Sequence, residues 1–368
     1  MKKVLQITSS LARNGTETFI MNVYRHIDRT RVQFDFLIFT EDAGGFCAEA
    51  LSLGATIYRL PTRRSGVVRY YRALRDFFCQ HAHEYVAIHY SGCSLTSVLP
   101  LYMARKYGVP VRVVHSHNSR TEGIHNVMLH KLNKHLASHW GTVFLACSDK
   151  AAAWFYKNTR AEKMCAVVKN GISISDFEYN PVVREKYRKQ MGLENCFVVG
   201  HVGRYTEVKN HTFLLKVFKE LLPVVPEARL LLIGSGELKQ QIVEEVFADE
   251  NMMGKVILLE DRADVNHLMQ VMDCFVMPSL FEGLPFVLVE AQCAGLKVLC
   301  SDTVSREVKL TGNIAFMSLD EPAEKWAESV RDYCGYHRES VSKEIADKGF
   351  SIGGVASELV ELYLKSFL

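Results

Sequence analysis

The segment Ser279-Leu-Phe-Glu-Gly-Leu-Pro-Phe-Val-Leu-Val-Glu290 follows a short apolar run, Cys274-Phe-Val-Met-Pro278, which is predicted to be a strand, and it is predicted to pass into a helix. Pro285 is expected at the first helical position, where its missing N–H costs nothing. The backbone amides of residues 283–286 would then point out of the helix N-terminus, which favours a phosphate group. Carboxylates at Glu282 and Glu290 flank these amides. The segment predicts a sugar-nucleotide site, although solvated charges beside a turn would be an equally common explanation for the two glutamates.

A second junction of this kind carries two cations. The apolar run Phe-Val-Val-Gly-His-Val-Gly-Arg204 is followed by Thr206-Glu-Val-Lys-Asn210. Gly203 lets the backbone approach a ligand closely. The Arg204 guanidinium could bind a diphosphate as a fork and the Lys209 ammonium as a point charge. Two ordinary loop cations would be the commoner explanation if this motif stood alone, so the inference depends on its combination with the first segment.

The order of these motifs resembles the retaining glycosyltransferases of family four, which have the GT-B fold. The residues that carry the resemblance are the cation motif, Leu232-Ile-Gly-Ser-Gly-Glu237, the two glutamates near residue 285, Asn170-Gly-Ile172 and Asn14-Gly-Thr-Glu17. His115-Ser-His-Asn118 further resembles the branch that builds capsular and exopolysaccharides. The resemblance runs over almost the whole chain. It implies an α/β protein of two Rossmann-like domains that face each other across a cleft, with a C-terminal helix returning to the first domain.

The resemblance also implies roles for individual residues. Four residues would be catalytic: His117, Arg204, Lys209 and Glu282. The His117 imidazole would contact the donor sugar, and the Glu282 carboxylate would lie on the sugar side. The two cations would bind the leaving diphosphate. The donor would be bound by Gly15, Gly203, Gly234, Gly236, Arg262, Gly283, Leu284 and Glu290, the last on the ribose hydroxyls. The acceptor side would hold Glu17, His115 and Asn118.

Several of these residues have simpler explanations. Glu17 is expected in the first turn of a helix, where a carboxylate complements the helix dipole. The glycines at 234 and 236 are explained equally well by a tight strand-to-helix turn. His115 and His117 would share one face of a strand. They lack a nearby third ligand, so no metal site is predicted.

Length and composition predict about two domains. A chain of 368 residues that is 48% hydrophobic can bury two cores. We expect residues 1–180 to form the acceptor-side domain, 181–348 the nucleotide-sugar domain and 349–368 the returning helix. Short apolar runs alternate with helical patterns, which is typical of parallel sheets. The expected strands lie at 4–7, 34–39, 56–58, 86–89, 111–114 and 143–146, and near 197–202, 229–233, 256–259, 274–277, 297–300 and 314–317.

Cysteines and hydropathy indicate a reduced, cytoplasmic protein. The ten cysteines form no Cys-x-x-Cys pair, and no apolar run approaches the roughly 18 residues that span a bilayer. The sequence has no Asp-x-Asp motif to hold a metal on a diphosphate, and no side chain stands out as a covalent nucleophile. No cofactor is therefore predicted.

Charge is divided unevenly along the chain. Residues 1–180 carry a formal charge of +10 and the remainder −7. The basic half favours an anionic membrane leaflet or a lipid pyrophosphate as partner. Dispersed cations and the lack of a recognisable motif argue against nucleic acid. Residues 119–141 read as an amphipathic helix, which could lie on its own domain, the commoner case, or touch the inner leaflet.

The predicted reaction is transfer of a hexose from a nucleotide diphosphate to a hydroxyl of a glycan or lipid-linked acceptor, with retention of configuration. Uridine is favoured as the base over guanosine or thymidine, because it predominates in the resembling group. Two other classes stay open. One is a GT-B epimerase or phosphorylase, and the other is a non-catalytic partner that binds the nucleotide sugar and escorts an active transferase.

Overall fold

The computed structural model describes residues 1–40, 45–118, 123–260, 262–282 and 284–365. The described residues of 1–171 and 349–368 form one compact unit, and those of 172–348 form the other. The units thus join between Gly171 and Ile172, earlier in the chain than the predicted boundary at 180. Close packing explains a glycine at the join, because a Cβ atom on Gly171 would lie 2.8 Å from the Cα of Ile352.

The strands and helices alternate along the chain. In order, the strands are β1 (Lys2–Ile7), β2 (Val32–Ile38), β3 (Ile57–Arg59), β4 (Tyr85–Gly92), β5 (Val111–Ser116), β6 (Val143–Ala146), β7 (Cys165–Val167), β8 (Phe197–Val202), β9 (Ala228–Ile233), β10 (Val256–Leu259), β11 (Cys274–Met277), β12 (Lys297–Ser301) and β13 (Ile314–Met317). All strand pairings in the described residues are parallel, as the alternating pattern predicts.

The helices follow the strands. They are α1 (Gly15–His26), α2 (Cys47–Ser52), α3 (Val67–His81), α4 (Leu99–Lys106), α5 (Ile124–Trp140), α6 (Asp149–Tyr156), α7 (Ile174–Phe177), α8 (Pro181–Met191), α9 (His211–Leu221), α10 (Lys239–Phe247), α11 (Val265–Val271), α12 (Phe286–Cys293), α13 (Ala323–Arg331), α14 (Ser342–Ile345) and α15 (Ile352–Leu364). Over the described ranges, none of them combines the length and apolarity that crossing a bilayer demands.

The first unit is built on a sheet of order β3-β2-β1-β4-β5-β6-β7. Every residue of β2 is buried, as expected for a parallel strand covered on both faces. The buried carboxylate of Asp35 within β2 is satisfied by the Lys3 ammonium at 3.1 Å and by the Tyr85 hydroxyl at 3.1 Å. The last helix, α15, belongs to this unit and buries Tyr363 against the ring of Phe34, with ring centroids 6.0 Å apart.

The second unit is built on a sheet of order β10-β9-β8-β11-β12-β13. Its core is closed by α9 and α13, where the fully buried Trp326 meets the ring edge of Phe213 and donates to the Ser318 carbonyl at 3.1 Å. Within the sheet, β9 and β10 lie on one side of β8, and β11, β12 and β13 lie on its other side. In each unit, strand order reverses beside the first strand, β1 or β8, and ligands bind at such reversals.

The sequence-based strands agree with the structure except for β7. That strand is three residues long, and two of them are exposed, so it lacks the apolar run that marks the other strands. The observed starts of two helices also differ slightly from the predicted ones. Pro285 is the N-cap of α12 rather than its first residue. Of the predicted helix over 119–141, the part at 119–122 lies outside the described residues, and α5 begins at Ile124.

Candidate active site

In the second unit, the loops after β8 and β11 are held together by hydrogen bonds to backbone carbonyls. The Leu280 amide donates to the Val208 carbonyl at 2.8 Å, and the Asn210 side chain donates to the Pro278 carbonyl at 3.1 Å. Asn210 has a φ of 55°, in the left-handed region that asparagine tolerates better than most residues. These contacts fix the short helical turn Glu207–Lys209 against the loop that carries Glu282.

The two loops bring together two predicted catalytic residues. The Lys209 ammonium lies 2.6 Å from Glu282 Oε1, and the two side chains are only 18% and 17% exposed. Glu282 is held further by a parallel bridge to Val304. An ion pair this shielded from water has a fixed geometry, since each partner would be costly to leave alone. The pair places one positive and one negative group where strand order reverses.

The predicted donor glycines Gly203, Gly234 and Gly236 allow the ends of β8 and β9 to approach closely. A Cβ atom on Gly234 would lie 2.0 Å from the Gly203 carbonyl oxygen, and one on Gly236 would lie 2.5 Å from the Tyr205 carbonyl oxygen. The Gly203 amide donates to the Ile233 carbonyl at 2.9 Å. A tight strand-to-helix turn is therefore sufficient to explain Gly234 and Gly236.

The two predicted arginines differ from Lys209 in their exposure and in their ion-pair partners. Arg204 is 67% exposed, and its guanidinium approaches Glu237 no closer than 4.0 Å. The Arg262 guanidinium is engaged by both oxygens of Asp264, at 2.7 and 2.6 Å. Arg204 therefore remains available to a ligand in solvent, whereas Arg262 is held by its own loop.

Glu290 lies inside α12, and burial raises the pKa of its carboxyl to about 7. Within the part of the chain that is described, no hydrogen bond or ion pair is made to this carboxyl. Leu284 is half-buried just before α12. Gly283, also predicted to bind the donor, lies outside the described residues.

Two buried histidines near this site were not predicted. His201 in β8 and His211 at the start of α9 meet edge to face with ring centroids 4.8 Å apart. His201 Nδ1 lies 2.8 Å from the Val276 carbonyl oxygen and therefore carries the proton. Burial lowers the pKa of both rings, with that of His211 near 4. The only sequence signal was a histidine inside an apolar strand and another directly after Asn210.

In the first unit, the predicted residues gather at the ends of β1 and β5. Gly15 opens α1, and Glu17 lies in its first turn, where the dipole explanation places it. Glu17 is nevertheless buried, and the Thr8 hydroxyl donates to its carboxylate at 3.1 Å. Burial raises the pKa of Glu17. The carboxyl is thus part of the interior rather than a solvated charge.

His115 and His117 lie side by side, with ring centroids 4.1 Å apart. The ring of Phe19 contacts both, at 5.4 and 5.2 Å. Burial lowers the pKa of His117 to about 3 and that of His115 well below its usual value, so both rings are neutral. Asn118 follows on the surface, and its carbonyl accepts from the Ser116 hydroxyl at 3.2 Å.

The predicted histidine pair is not part of a metal cluster in the described residues. No group of three or more histidine, cysteine, aspartate or glutamate side chains comes together there to hold an ion. The rings are instead enclosed by aromatic neighbours.

Comparison with known families accounts for both units. Residues 14–171 match the family described as glycosyl transferase 4-like domain, and residues 196–334 match glycosyl transferases group 1. EpsF of Bacillus subtilis (strain 168), which is named as a glycosyltransferase, is 32% identical over 98% of this chain and 96% of its own length. The chain belongs to the family-four glycosyltransferases.

Two further comparisons extend this assignment. The UDP-Gal:alpha-D-GlcNAc-diphosphoundecaprenol alpha-1,3-galactosyltransferase of Escherichia coli is 26% identical over 73% of this chain and 72% of its own length. The crystal structure of Anabaena HepE in complex with UDP and glucose superposes with a TM-score of 0.73. At 20% identity, it covers 99% of this chain and 95% of HepE. The predicted GT-B fold is confirmed.

The glycosyltransferase collects its predicted residues in two separate sets. Gly203, Lys209 and Glu282 belong to one set in the second unit, where strand order reverses beside β8. Glu17, His115 and His117 belong to the other, where the order reverses beside β1. The roles expected for these residues remain proposals.

Proposed function

We propose that this glycosyltransferase moves a hexose from a UDP-sugar to a hydroxyl of a lipid-linked or polysaccharide acceptor, in the synthesis of a capsule or exopolysaccharide. Retention of anomeric configuration and independence from metal ions are part of the proposal. The E. coli relative is named for a UDP-sugar donor and a diphospholipid-linked acceptor, and the HepE crystals contain UDP. Those names support uridine over guanosine and thymidine, and a lipid diphosphate as the carrier of the acceptor.

The observation that carries the proposal is the Lys209–Glu282 ion pair at the end of β8. Its 2.6 Å contact gives the ammonium a fixed position before any donor binds. Preorganised charge is most effective where charge develops in the transition state. As the bond from the sugar to the diphosphate breaks, negative charge grows on the phosphate oxygens. Lys209 and the exposed Arg204 would neutralise that charge, which is why no metal ion is required.

The proposed reaction exchanges one bond for another on the same face of the sugar. The bond between the anomeric carbon and the diphosphate oxygen breaks, and a bond to the acceptor hydroxyl oxygen forms. The proton of that hydroxyl passes to the leaving diphosphate. Glu282 would face the sugar side, Glu290 would accept from the ribose hydroxyls, and the neutral ring of His117 would hydrogen-bond the transferred sugar.

A panel of nucleotide sugars tests the donor assignment. Hydrolysis or transfer should be fastest with a UDP-hexose, and the product anomer, read by proton NMR coupling constants, should match the donor. Activity should persist in a chelator. Loss of activity that is restored by Mg²⁺ would refute metal independence, and an inverted anomer would refute retention.

The proposal includes docking on an anionic membrane through α5. One face of this helix exposes apolar side chains at every fourth position, and lysines of α5 and α6, with Lys157 just after α6, line an adjacent groove with Trp154. The apolar residues are Ile124, Met128, Leu132 and Leu136. A helix face that is apolar and flanked by lysines suits the interface of an anionic leaflet. This arrangement favours the interfacial interpretation of the helix over the one that leaves it on its own domain.

Vesicle sedimentation tests the docking. The protein should bind vesicles that contain phosphatidylglycerol more tightly than pure phosphatidylcholine, and Leu132→Glu should weaken that binding. Phe247→Glu is the matched control, since Phe247 is equally exposed on the second unit. Equal binding to both lipids, or an equal loss in both variants, would contradict docking through α5.

The other classes make different predictions. An epimerase would convert the donor with no acceptor present, and a phosphorylase would show the absorbance of a lysine-bound pyridoxal cofactor. A non-catalytic partner would bind UDP-sugars tightly and turn over none of them. The relatives described above are named as glycosyltransferases, which favours transfer to an acceptor.

A further inference from the structure

Between α5 and α6, the first unit has a groove that is lined by four lysines. Its volume of about 530 Å³ is within the range of small-ligand sites. Lys131 and Lys134 belong to α5, Lys150 lies in the first turn of α6, and Lys157 is the C-cap of α6. None of the described residues that line this groove carries a carboxylate. We name it the lysine groove.

The spacing of the residues of α6 directs two lysines toward one position. Lys150, Ala153, Trp154 and Lys157 follow one another at intervals of three, one and three residues, which places them on one side of the helix. Lys150 and Lys157 are therefore about 10 Å apart along the helix axis. The small side chain of Ala153 lies midway between them. A ligand over Ala153 is thus within reach of both long side chains.

The positive charge of the lysine groove is largely unpaired. Over the described part of the chain, the ammonium groups of Lys131, Lys150 and Lys157 have no hydrogen-bond or ion-pair partner. The Lys134 ammonium donates to the Lys157 carbonyl at 2.6 Å, which leaves two of its three N–H donors. Four like charges that lie close together repel one another until an anion joins them. The groove therefore favours a ligand with more than one negative charge.

The floor of the lysine groove is aromatic and uncharged. The ring of the buried His130 stacks on the indole of Trp154, with centroids 4.3 Å apart. The Leu95 amide donates to His130 Nδ1 at 3.2 Å, so this nitrogen carries no proton. His130 Nε2 lies 3.3 Å from the Trp154 carbonyl oxygen, which can only accept, so the proton is there. Because the amide and the carbonyl each have one possible role, the ring is neutral, and the charge comes from the lysines.

One hydrogen-bond donor at the lysine groove has no acceptor. The indole N–H of Trp154 is buried, and no acceptor for it is present among the described residues. An unpaired buried donor is destabilising, and a ligand oxygen would relieve it. An anion that is rich in oxygen atoms therefore suits the groove.

The exposed apolar face of α5 begins beside the lysine groove. Lys131 follows Ile124 by seven positions, which is close to two helical turns, so the two residues lie on nearly the same side of α5. Met128 lies between them, and the side chains of Ile124 and Met128 are 83% and 59% exposed. A ligand with its anionic end in the groove would therefore have a hydrocarbon chain next to these side chains.

We propose that the lysine groove binds the diphosphate of a lipid-linked acceptor, with the hydrocarbon chain along the apolar face of α5. The ligand class follows from the two features together. The unpaired cations match two or more negative charges, which a single phosphodiester headgroup does not carry, and the apolar face matches a lipid rather than free pyrophosphate. The role of this lipid as acceptor rests on the proposed function, whereas the binding of a diphosphate does not.

Titration with inorganic pyrophosphate tests the groove without lipid or sugar. Binding should change the tryptophan fluorescence, and Trp154→Phe should remove most of that change. The double variant Lys131→Gln/Lys150→Gln takes one unpaired cation from each helix. It should bind pyrophosphate in the groove roughly tenfold more weakly at low ionic strength. Arg204 and Lys209 are unchanged in this variant, so any binding in the second unit is common to both proteins.

The matched control is Lys106→Gln/Lys163→Gln. It removes the same charge from two exposed lysines of the first unit that do not line the groove. Thermal unfolding should show that both double variants are folded, and the control should bind pyrophosphate like the wild type. Equal affinity of the wild type and Lys131→Gln/Lys150→Gln would refute the site. An equal loss in both double variants would show that net charge alone is responsible, which would refute it as well.

Vesicles test the lipid source of the diphosphate. Phosphatidylcholine vesicles with geranylgeranyl diphosphate should bind the protein more tightly than vesicles with phosphatidylglycerol at the same total negative charge. Lys131→Gln/Lys150→Gln should lose this preference, and the control should keep it. A wild-type protein without the preference would overturn the lipid assignment, even if it binds pyrophosphate. If the preference is found while no nucleotide sugar is turned over, the proposed function fails and the diphosphate site is supported.

Discussion

The two predicted sites differ in charge in the direction opposite to the halves of the chain that contain them. The first half of the chain carries a formal charge of +10, yet its site consists of neutral imidazoles and a buried carboxyl. The second half carries −7, yet its site offers the fixed ammonium of Lys209 and the exposed guanidinium of Arg204. The net charge of a half of the chain therefore does not determine the chemistry of its site, which burial and ion pairing decide.

Of the changes that test this contrast, removal of the Lys209 side chain should lower the rate of transfer most. Lys209→Ala takes away the cation of the second site and leaves the Glu282 carboxylate unpaired. We expect transfer to fall about a hundredfold, or about 3 kcal/mol of transition-state stabilisation. Steady-state kinetics with the preferred UDP-sugar measure the loss.

The control for this variant is Lys219→Ala, which breaks an ion pair of 2.7 Å at the surface of the same unit. That pair is exposed on its lysine side, so its removal should change rates by less than twofold. A double-mutant cycle with Glu282→Gln should show strong coupling to Lys209. Near wild-type transfer by Lys209→Ala would mean that the diphosphate binds elsewhere.

Removing Arg204 should have a smaller effect than removing Lys209. Its guanidinium is exposed and approaches only Glu237, at 4.0 Å, so water screens it more. Arg204→Ala should lower transfer about tenfold at low ionic strength, and less in high salt. A loss equal to that of Lys209→Ala at all salt concentrations would show that both cations are equally preorganised, contrary to their exposure.

Glu290 should give the second site its pH dependence. The pKa of this carboxyl is raised to about 7 by burial, and only its ionised form accepts hydrogen bonds from both ribose hydroxyls fully. UDP affinity should therefore rise, by up to roughly tenfold, between pH 6 and pH 8. Calorimetry at both pH values checks the rise. Glu290→Gln should bind UDP weakly and without this dependence, whereas Glu282→Gln should bind UDP like the wild type.

The raised pKa of Glu290 also predicts the direction of a stability change. The folded state holds the proton to higher pH than the unfolded chain does, so the unfolded chain ionises first as pH rises. Stability from this group is complete below the unfolded value near 4.5 and is lost as pH rises through about 7. Thermal unfolding of the wild type against Glu290→Gln across this range should show a larger loss in the wild type.

Local patterns in the sequence predicted most of the strands and helices. They missed one exposed strand and the contacts that depend on the order of strands in each sheet. Strands with a continuous apolar run were found, whereas β7, with two exposed residues of three, was not. Lys209 and Glu282 were each predicted from strand-end motifs. Their pairing was not, because they lie 73 positions apart and meet only through the adjacency of β8 and β11. His201 and His211 were missed because isolated histidines form no motif.

The smallest expected effect concerns the first site, whose histidines should not titrate near neutral pH. Burial lowers the pKa of His89 and His117 to about 3, so both rings remain neutral over the range in which Glu290 ionises. Histidine NMR signals from these positions should stay constant between pH 5.5 and pH 8. In Glu290→Gln, transfer rates across that range should vary less than in the wild type, because the titrating carboxyl is gone and the rings of His89 and His117 stay neutral. A titration of His117 near its ordinary pKa of about 6.5 would show that water reaches the ring, and the contrast between a neutral site and a charged one would fail.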